Sequence, residues 1–148
     1  MSLDNLVGTH QLQEHVASPQ AVQRLLAAAR RNLADAKVVG LSDESRFDIA
    51  YKAIMQCALV GLAANGYRPA TSTPGHHQTM IQTLSLTLRV PRETWLVLDA
   101  LRKKRNLNDY SGDLMEPDAV RECIAQAGNL LALTIAWLEA NRPDLLAA

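Results

Sequence analysis

The chain has 148 residues, of which 48% are hydrophobic and 20% are charged, and its formal net charge is +0. These values are typical of one folded globular domain and exclude a disordered chain. A net charge of zero also argues against a protein that coats nucleic acid without specificity, although it allows a local basic patch.

The chain divides into a short N-terminal segment and one larger domain. Residues 1–17 are mixed in character and predict only a weakly ordered segment. Residues 18–148 predict a single helical-bundle domain. Its first helix begins at Ser18-Pro19, an N-cap residue followed by proline at the first helical position. We expect this helix to run to about Val39, before the glycine at position 40.

The second predicted helix is the most apolar one. It follows Ser42 as N-cap, runs from about Asp43 to Ala64, and has no charged residue from Ala53 onward. A helix that is apolar almost all round is expected at the centre of a bundle. Asn65-Gly66 then provides a C-terminal stop.

Three more helices are predicted after a polar loop that ends at Gly75. The third helix begins at His76 and runs to about Leu88. The fourth begins at Pro91, and the fifth runs from Pro117 to about Ala140. Ala and Leu are abundant, and β-branched residues do not alternate. This composition predicts an all-α fold, an up-and-down antiparallel bundle of about five helices.

The two cysteines bear on the cellular compartment. Cys57 and Cys123 each fall in an apolar helix without a CxxC neighbour. This pattern favours buried free thiols in a reducing cytosol over a redox pair, and it supplies too few ligands for zinc. No run of apolar residues is long enough to span a membrane, and no signal peptide is recognisable. We therefore expect a cytoplasmic protein without membrane contact, metal or other cofactor.

The richest candidate site lies near the end of the fourth helix, in the run Arg102-Lys103-Lys104-Arg105. Leu98, Leu101 and Arg105 are spaced three and four residues apart, so Arg105 lies along the apolar stripe of the helix. An arginine in that position needs an anion or several acceptors.

Two interpretations of Arg105 follow. In the first, it forms a structural ion pair with Asp48 or Glu44 of the second helix. In the second, it binds a phosphate group together with the neighbouring cations and an amide; this predicted set is Arg102, Lys103, Lys104, Arg105 and Asn106.

The chain also resembles the HEPN-domain family (higher eukaryotes and prokaryotes nucleotide-binding) over roughly residues 19–140. The resemblance rests on four short segments in a common order, namely RFDIAYKA at 46–53, NGY at 65–67, GHH at 75–77 and RKKRNLNDY at 102–110. It implies a bundle of antiparallel helices, usually dimeric. Many members are metal-independent RNases, often toxins paired with a small nucleotidyltransferase, and their site forms where two subunits meet.

The family signature is an arginine, usually followed by a polar residue, with a histidine after four to six further residues. Arg105 and Asn106 match its first part, but Tyr110 stands at the histidine position, and no histidine follows His77. Because tyrosine has a pKa near 10, it is a poor general base beside histidine, whose pKa is near 6.5. The resemblance therefore favours binding of RNA or nucleotide phosphate without efficient catalysis.

Two alternatives stay open. One is a metal-independent endoribonuclease in which Arg105 and Tyr110 act as catalytic residues across a homodimer interface. The other is a non-catalytic interaction module whose partner is a nucleotidyltransferase. In each case Asp48, Tyr51 and His76 are candidate supporting residues, the last because a helix N-terminus offers free N–H groups.

Overall fold

Four long helices form the frame of the molecule, and they confirm the all-α prediction. The structure is a computed structural model that describes residues 1–72 and 74–147. The long helices are α2 (Pro19–Ala36), α3 (Asp43–Ala64), α6 (Arg92–Ser111) and α7 (Pro117–Asn141). The shorter elements are α1 (Leu3–Gly8), β1 (Leu12–Glu14), β2 (Tyr67–Pro69), α4 (His76–Gln82), α5 (Leu84–Thr87) and a final 3₁₀ turn (Pro143–Leu145).

Helix α3 lies at the centre of the bundle, as its composition predicts. Its largest side chains, such as Phe47, Ile54 and Leu62, are fully buried. Helices α2 and α7 pack along it as its main neighbours, and α4 packs against both α3 and α6. The site described below lies where α3, α4 and α6 meet.

By length and composition alone, α3 and α7 are apolar enough to cross a membrane. Most of the apolar part of α3 is buried within the bundle, whereas about a third of that of α7 is buried. One or two such helices are a weak indication of a membrane span, because the buried core helix of a soluble protein has the same composition.

The predicted helix starts are confirmed by their caps. The Ser18 Oγ accepts a hydrogen bond from the Ala21 N–H at 3.0 Å, and the Ser42 Oγ accepts one from the Ser45 N–H at 3.1 Å. Each bond satisfies an N–H group that has no partner within its helix. Helix α3 has the predicted bounds.

Two predicted helix ends differ from those observed. Helix α2 ends at Ala36 rather than near Val39, because the Arg46 Nε donates to the Ala36 carbonyl at 2.8 Å and closes the helix there. The predicted third helix is divided into α4 and α5 at Thr83, whose hydroxyl donates to the Met80 carbonyl at 3.1 Å. Such local bonds compete with helical hydrogen bonding.

Residues 1–17, for which only a weakly ordered segment is predicted, contain α1 and β1. Strand β1 pairs antiparallel with β2, with Leu12 opposite Pro69 and Glu14 opposite Tyr67. Leu12 is 1% exposed, so this small ladder is anchored in the core. The pairing residues are 55 positions apart at Gln13 and Arg68, and local sequence patterns do not carry information over that distance.

Candidate functional site

Arg105 lies on the side of α6 that faces α3, and its side chain is 30% exposed. Its Nε is 3.6 Å from the Asp48 Oδ1, and its Cζ is 5.1 Å from the centre of the Tyr51 ring. A cation over an aromatic face at this distance is attracted to it. Within the described residues, no hydrogen bond of standard geometry uses the guanidinium. Arg105 is therefore held by one long ion pair and one ring, and its two terminal amino groups are left for another acceptor.

Helix α3 supplies one wall of the cleft in which Arg105 lies. Asp48, Tyr51, Lys52 and Met55 follow the spacing that places residues on one face of a helix. Together with Arg105 and with His77 of α4, they line a cleft of about 260 Å³, called here the Arg105 cleft. The Lys52 side chain forms no salt bridge within the described residues, so this cleft holds a second cation that is available to an anion.

His77 is the residue that α4 contributes to the Arg105 cleft. Its Nδ1 is 3.4 Å from the Tyr51 Oη, a long hydrogen bond, and its ring is in edge contact with His76 at 4.7 Å between centroids. Burial lowers the pKa of His77 below 6.5, and the positive charges of His76 and Arg105 lower it further. The imidazole is therefore neutral at pH 7, where it can accept a proton.

Burial raises the pKa of two other groups in the Arg105 cleft. Burial raises the pKa of Tyr51 to about 12, although Arg105 acts in the opposite direction. Tyr51 is thus a neutral hydroxyl at pH 7 rather than a base. Burial also raises the pKa of Asp48, against the effect of Arg105 and together with the nearby carboxylates of Asp109 and Glu44.

The side chains of the three cations that precede Arg105 on α6 point in different directions. The Arg102 Nε donates to the Asp99 Oδ1 at 2.8 Å, and the Lys103 Nζ is 3.4 Å from the Asp99 Oδ2. Asp99 is buried, so it fixes the Arg102 side chain, which is only 13% exposed. Lys103 is 69% exposed, whereas the Lys104 Nζ reaches the Glu116 Oε1 at 3.3 Å on another side of α6. The four cations therefore do not form one patch.

Arg102 and Asn106 face the start of α4. With His76 and His77 they line a second cleft of about 210 Å³ next to the Arg105 cleft. Of the predicted phosphate-binding set, Arg102, Arg105 and Asn106 thus lie toward the histidines. Lys103 and Lys104 do not line either of these two clefts.

Tyr110 does not join Arg105 within the chain. Helix α6 continues to Ser111 without a break, so a step of five residues rotates the side chain by about 140°. Tyr110 is 93% exposed and points away from the bundle. The two predicted catalytic residues therefore meet only if a second molecule brings them together.

A cleft of opposite charge borders Arg105 on its other side. It measures about 250 Å³ and is lined by four carboxylates, those of Glu44, Asp48, Asp109 and Asp113. Asp48 and Arg105 line both this acidic cleft and the Arg105 cleft. An anion that reaches Arg105 is therefore expected to approach from the His77 side.

No group of three His, Cys, Asp or Glu side chains in residues 1–72 and 74–147 is arranged to hold a metal ion. His76 and His77 are in contact with each other, but no acidic or thiol ligand among the described residues completes a set with them. Both cysteines, Cys57 and Cys123, are buried free thiols as predicted.

Lys52 and His77 line the Arg105 cleft but are not in the predicted set, whereas His76, which is in that set, lines the neighbouring cleft. A local signal for Lys52 was present, because Asp48, Tyr51 and Lys52 form a polar patch at helical spacing on an otherwise apolar helix. No comparable signal pointed to His77 over His76, since the choice depends on how α4 docks against α3.

Comparison of the chain with protein-family models, with curated proteins and with solved structures found no match. The resemblance to the HEPN family therefore stays a prediction that rests on the short segments named above.

Proposed function

We propose that this chain is a HEPN-like cytoplasmic protein that binds the phosphate groups of RNA or of a nucleotide in the Arg105 cleft. The observation that carries the proposal is the arrangement of Arg105. Its guanidinium is positioned by Asp48 and Tyr51 but is not fully occupied by them. Positioned arginines with free amino groups suit phosphate, because the planar fork donates two parallel hydrogen bonds.

The neighbours of Arg105 support the same ligand. Lys52 adds a positive charge on the opposite wall, and Arg102, held by Asp99, adds one beside the histidines. The ion pair of Arg105 with Asp48 is long and partly solvated, so a phosphate can compete for the guanidinium at modest cost.

The test is binding of a labelled single-stranded RNA at several salt concentrations. Arg105→Ala is expected to weaken binding by about 10- to 100-fold, the worth of a hydrogen bond to a charged group. It should also reduce the slope of log K against log salt by about 0.7, the value for one phosphate contact on a single strand.

The matched control is Arg121→Ala, which removes the same charge from an exposed site on α7. It is expected to change affinity far less than Arg105→Ala does. Equal losses for the two variants would show that only net charge matters and would remove the support for the proposal.

A second candidate function is metal-independent cleavage of RNA, and the position of His77 favours it. A neutral imidazole lies in the same cleft as Arg105 and Lys52. In this reaction the 2′-hydroxyl gives its proton to His77, its oxygen forms a bond to phosphorus, and the bond to the 5′-oxygen breaks. The leaving oxygen takes a proton from water, and the two cations stabilise the charge on the phosphorus centre.

The tautomer of His77 decides whether this chemistry is available. If the Nδ1–H donates to the Tyr51 Oη, the Nε2 lone pair is left to accept a proton. The opposite arrangement, in which Tyr51 donates to Nδ1, makes the Nε2–H a donor to phosphate. Only the first arrangement provides a general base.

Incubation of the pure protein with labelled RNA in the presence of a chelator separates binding from catalysis. Cleavage is expected to fall by about 10²- to 10⁴-fold in His77→Gln, the typical worth of a proton-transfer group, and to survive in Tyr110→Phe. Cleavage lost in Tyr110→Phe but not in His77→Gln would support the site across a dimer interface instead. No cleavage by the wild type would leave binding as the function.

A homodimer is part of the proposal, and an exposed apolar patch supports it. Leu107 and Tyr110 of α6 and Leu114 of the following loop are 67%, 93% and 82% exposed, and we call them the distal patch. Leu107 and Leu114 line one depression, and Tyr110 follows Leu107 by three residues on α6, so the three lie on one side of the molecule, and exposed apolar patches commonly mark an interface. Light scattering is expected to give a two-chain mass, and Leu107→Glu should reduce it to one chain; a wild-type monomer at micromolar concentration would contradict the proposal.

A further inference from the structure

We propose that the ligand of the Arg105 cleft is a nucleoside monophosphate whose base lies in an adjoining apolar groove. This inference rests on the proposed phosphate site. It adds a site for the base, the part of the ligand that the cations do not recognise. The groove lies between α2, α3 and α4 and measures about 290 Å³. Its apolar lining residues are Leu25, Met55, Leu59, Pro69 and Met80.

The groove and the Arg105 cleft are parts of one depression. They share three lining residues, namely Lys52, Met55 and His77. Each lies at or below the lower limit of about 300 Å³ that is usual for small-molecule sites, and joined they fall within the usual range. A ligand of nucleotide size can therefore place an anionic end at Arg105 and an apolar end in the groove.

The chemistry of the groove suits a flat ring with polar edges. Met55 and Met80 provide thioethers, which make favourable contacts with aromatic rings. Gln56 lies at the wall, and its Oε1 accepts from the Asn32 Nδ2 at 2.9 Å. The Gln56 amide group is thereby oriented and still has its N–H donors for the edge of a base. An alkyl chain would leave those donors unused.

Charge gives the ligand one orientation. No carboxylate lines the groove among the described residues, whereas four line the acidic cleft on the other side of Arg105. A phosphate that contacts Arg105 is repelled from the acidic cleft, so the remainder of the ligand extends past His77 into the groove.

The test compares three phosphates by isothermal titration calorimetry at low salt, namely AMP, ribose 5-phosphate and hexyl phosphate. AMP is expected to bind at least tenfold more tightly than the other two. Leu59→Gln should lower the affinity for AMP about tenfold and leave that for ribose 5-phosphate unchanged. Arg105→Ala should weaken binding of all three.

Two further variants test the groove without a substitution in the core, so the test remains valid if Leu59→Gln does not fold. Thr71 is exposed at the rim of the groove, so Thr71→Trp narrows the groove without touching the core. Thr71→Trp is expected to weaken the binding of AMP but not that of ribose 5-phosphate. The matched control is Ser72→Trp, at the next position and outside the groove lining.

The outcomes distinguish the phosphate site at Arg105 from the base site in the groove. Equal binding of AMP and ribose 5-phosphate, lost in Arg105→Ala, would keep the phosphate site and overturn the base site. Hexyl phosphate binding as tightly as AMP would assign the groove to an alkyl chain and also overturn the base site. If none of the three binds, this inference fails, and the titration with labelled RNA decides separately whether the phosphate site exists.

Discussion

At the scale of single residues, His77 lies in the same cleft as Arg105 because of the fold rather than because of the local sequence. Tyr110 is predicted to act with Arg105 only across a homodimer interface, and within one chain the continuous helix turns its side chain away from Arg105. His77 comes from α4 and lines the same cleft as Arg105. Within one chain, the histidine nearest to Arg105 in the cleft therefore comes from a different helix, which spacing along α6 cannot reveal.

The lowered pKa of His77 has a consequence for stability. The unfolded chain binds a proton at His77 near pH 6.5, whereas the folded chain binds it only at lower pH. Between these values the unfolded state holds more protons, so this histidine makes the protein less stable as the pH falls below about 6.5. We expect His77→Gln to show a smaller loss of unfolding free energy between pH 7 and pH 5 than the wild type.

Urea denaturation at the two pH values checks this, with His15→Gln as a control for the loss of one imidazole elsewhere. An unchanged pH dependence in His77→Gln would show that the ring is not held in its neutral form by the fold.

Arg105 and Asp48 show how much of the site could be predicted from the sequence. The unusual place of an arginine on an apolar stripe identified Arg105, and its need for a counter-ion identified Asp48 as a possible partner. The sequence did not reveal in which direction each neighbour of Arg105 points. Lys104 pairs with Glu116, whereas Arg102 pairs with Asp99.

At the scale of helices and strands, the prediction is best where a boundary has a local chemical cause. The starts of α2 and α3 follow from serine caps, and α6 and α7 follow from prolines near their first turns. The end of α2 and the break at Thr83 depend on side chains that reach a carbonyl, and composition does not reveal which one they reach.

Two helical glycines give opposite predictions for the same substitution. A Cβ at Gly61 of α3 would lie 2.9 Å from the Leu88 Cγ and 2.9 Å from the Thr87 Oγ1. We expect Gly61→Ala to destabilise the protein by about 1–3 kcal/mol, the usual cost of overpacking. A Cβ at Gly128 of α7 would meet only the Leu33 Cδ2 at 3.8 Å, so Gly128→Ala should stabilise it by about 0.5–1 kcal/mol.

Chemical denaturation of both variants under the same conditions measures the change in the free energy of unfolding that each substitution causes. Because each is the other's control, a general effect of alanine on helices cancels in the comparison. The same sign for both would contradict the close packing between α3 and α5.

At the scale of the whole molecule, the N-terminal segment holds the β2 strand that precedes α4. The Ala70 N–H donates to the Gln11 carbonyl at 3.0 Å, and the Gln11 side chain reaches the Thr79 hydroxyl of α4 at 3.5 Å. The segment is therefore part of the structure that supports His77, although its sequence has no strong periodicity.

Removing the anchor of this segment should loosen β2 and the start of α4. Leu12 is 1% exposed, so we expect Leu12→Ala to cost about 2–5 kcal/mol and to increase amide exchange in β2. Val16, which is 91% exposed, provides the control, and Val16→Ala should change neither quantity. Hydrogen exchange in which Leu12→Ala leaves β2 protected would show that the ladder is not held from this side.

The ladder between β1 and β2 also affects the order of events during synthesis. Gln13 leaves the ribosome 55 residues before Arg68, its partner in the ladder. Leu6 and Leu12 have no core to enter until α3 has followed them out, so this apolar surface is open to chaperones or to other nascent chains during that interval. Slower translation between the two strands would prolong the interval and raise the risk of aggregation without altering a single contact in the finished protein.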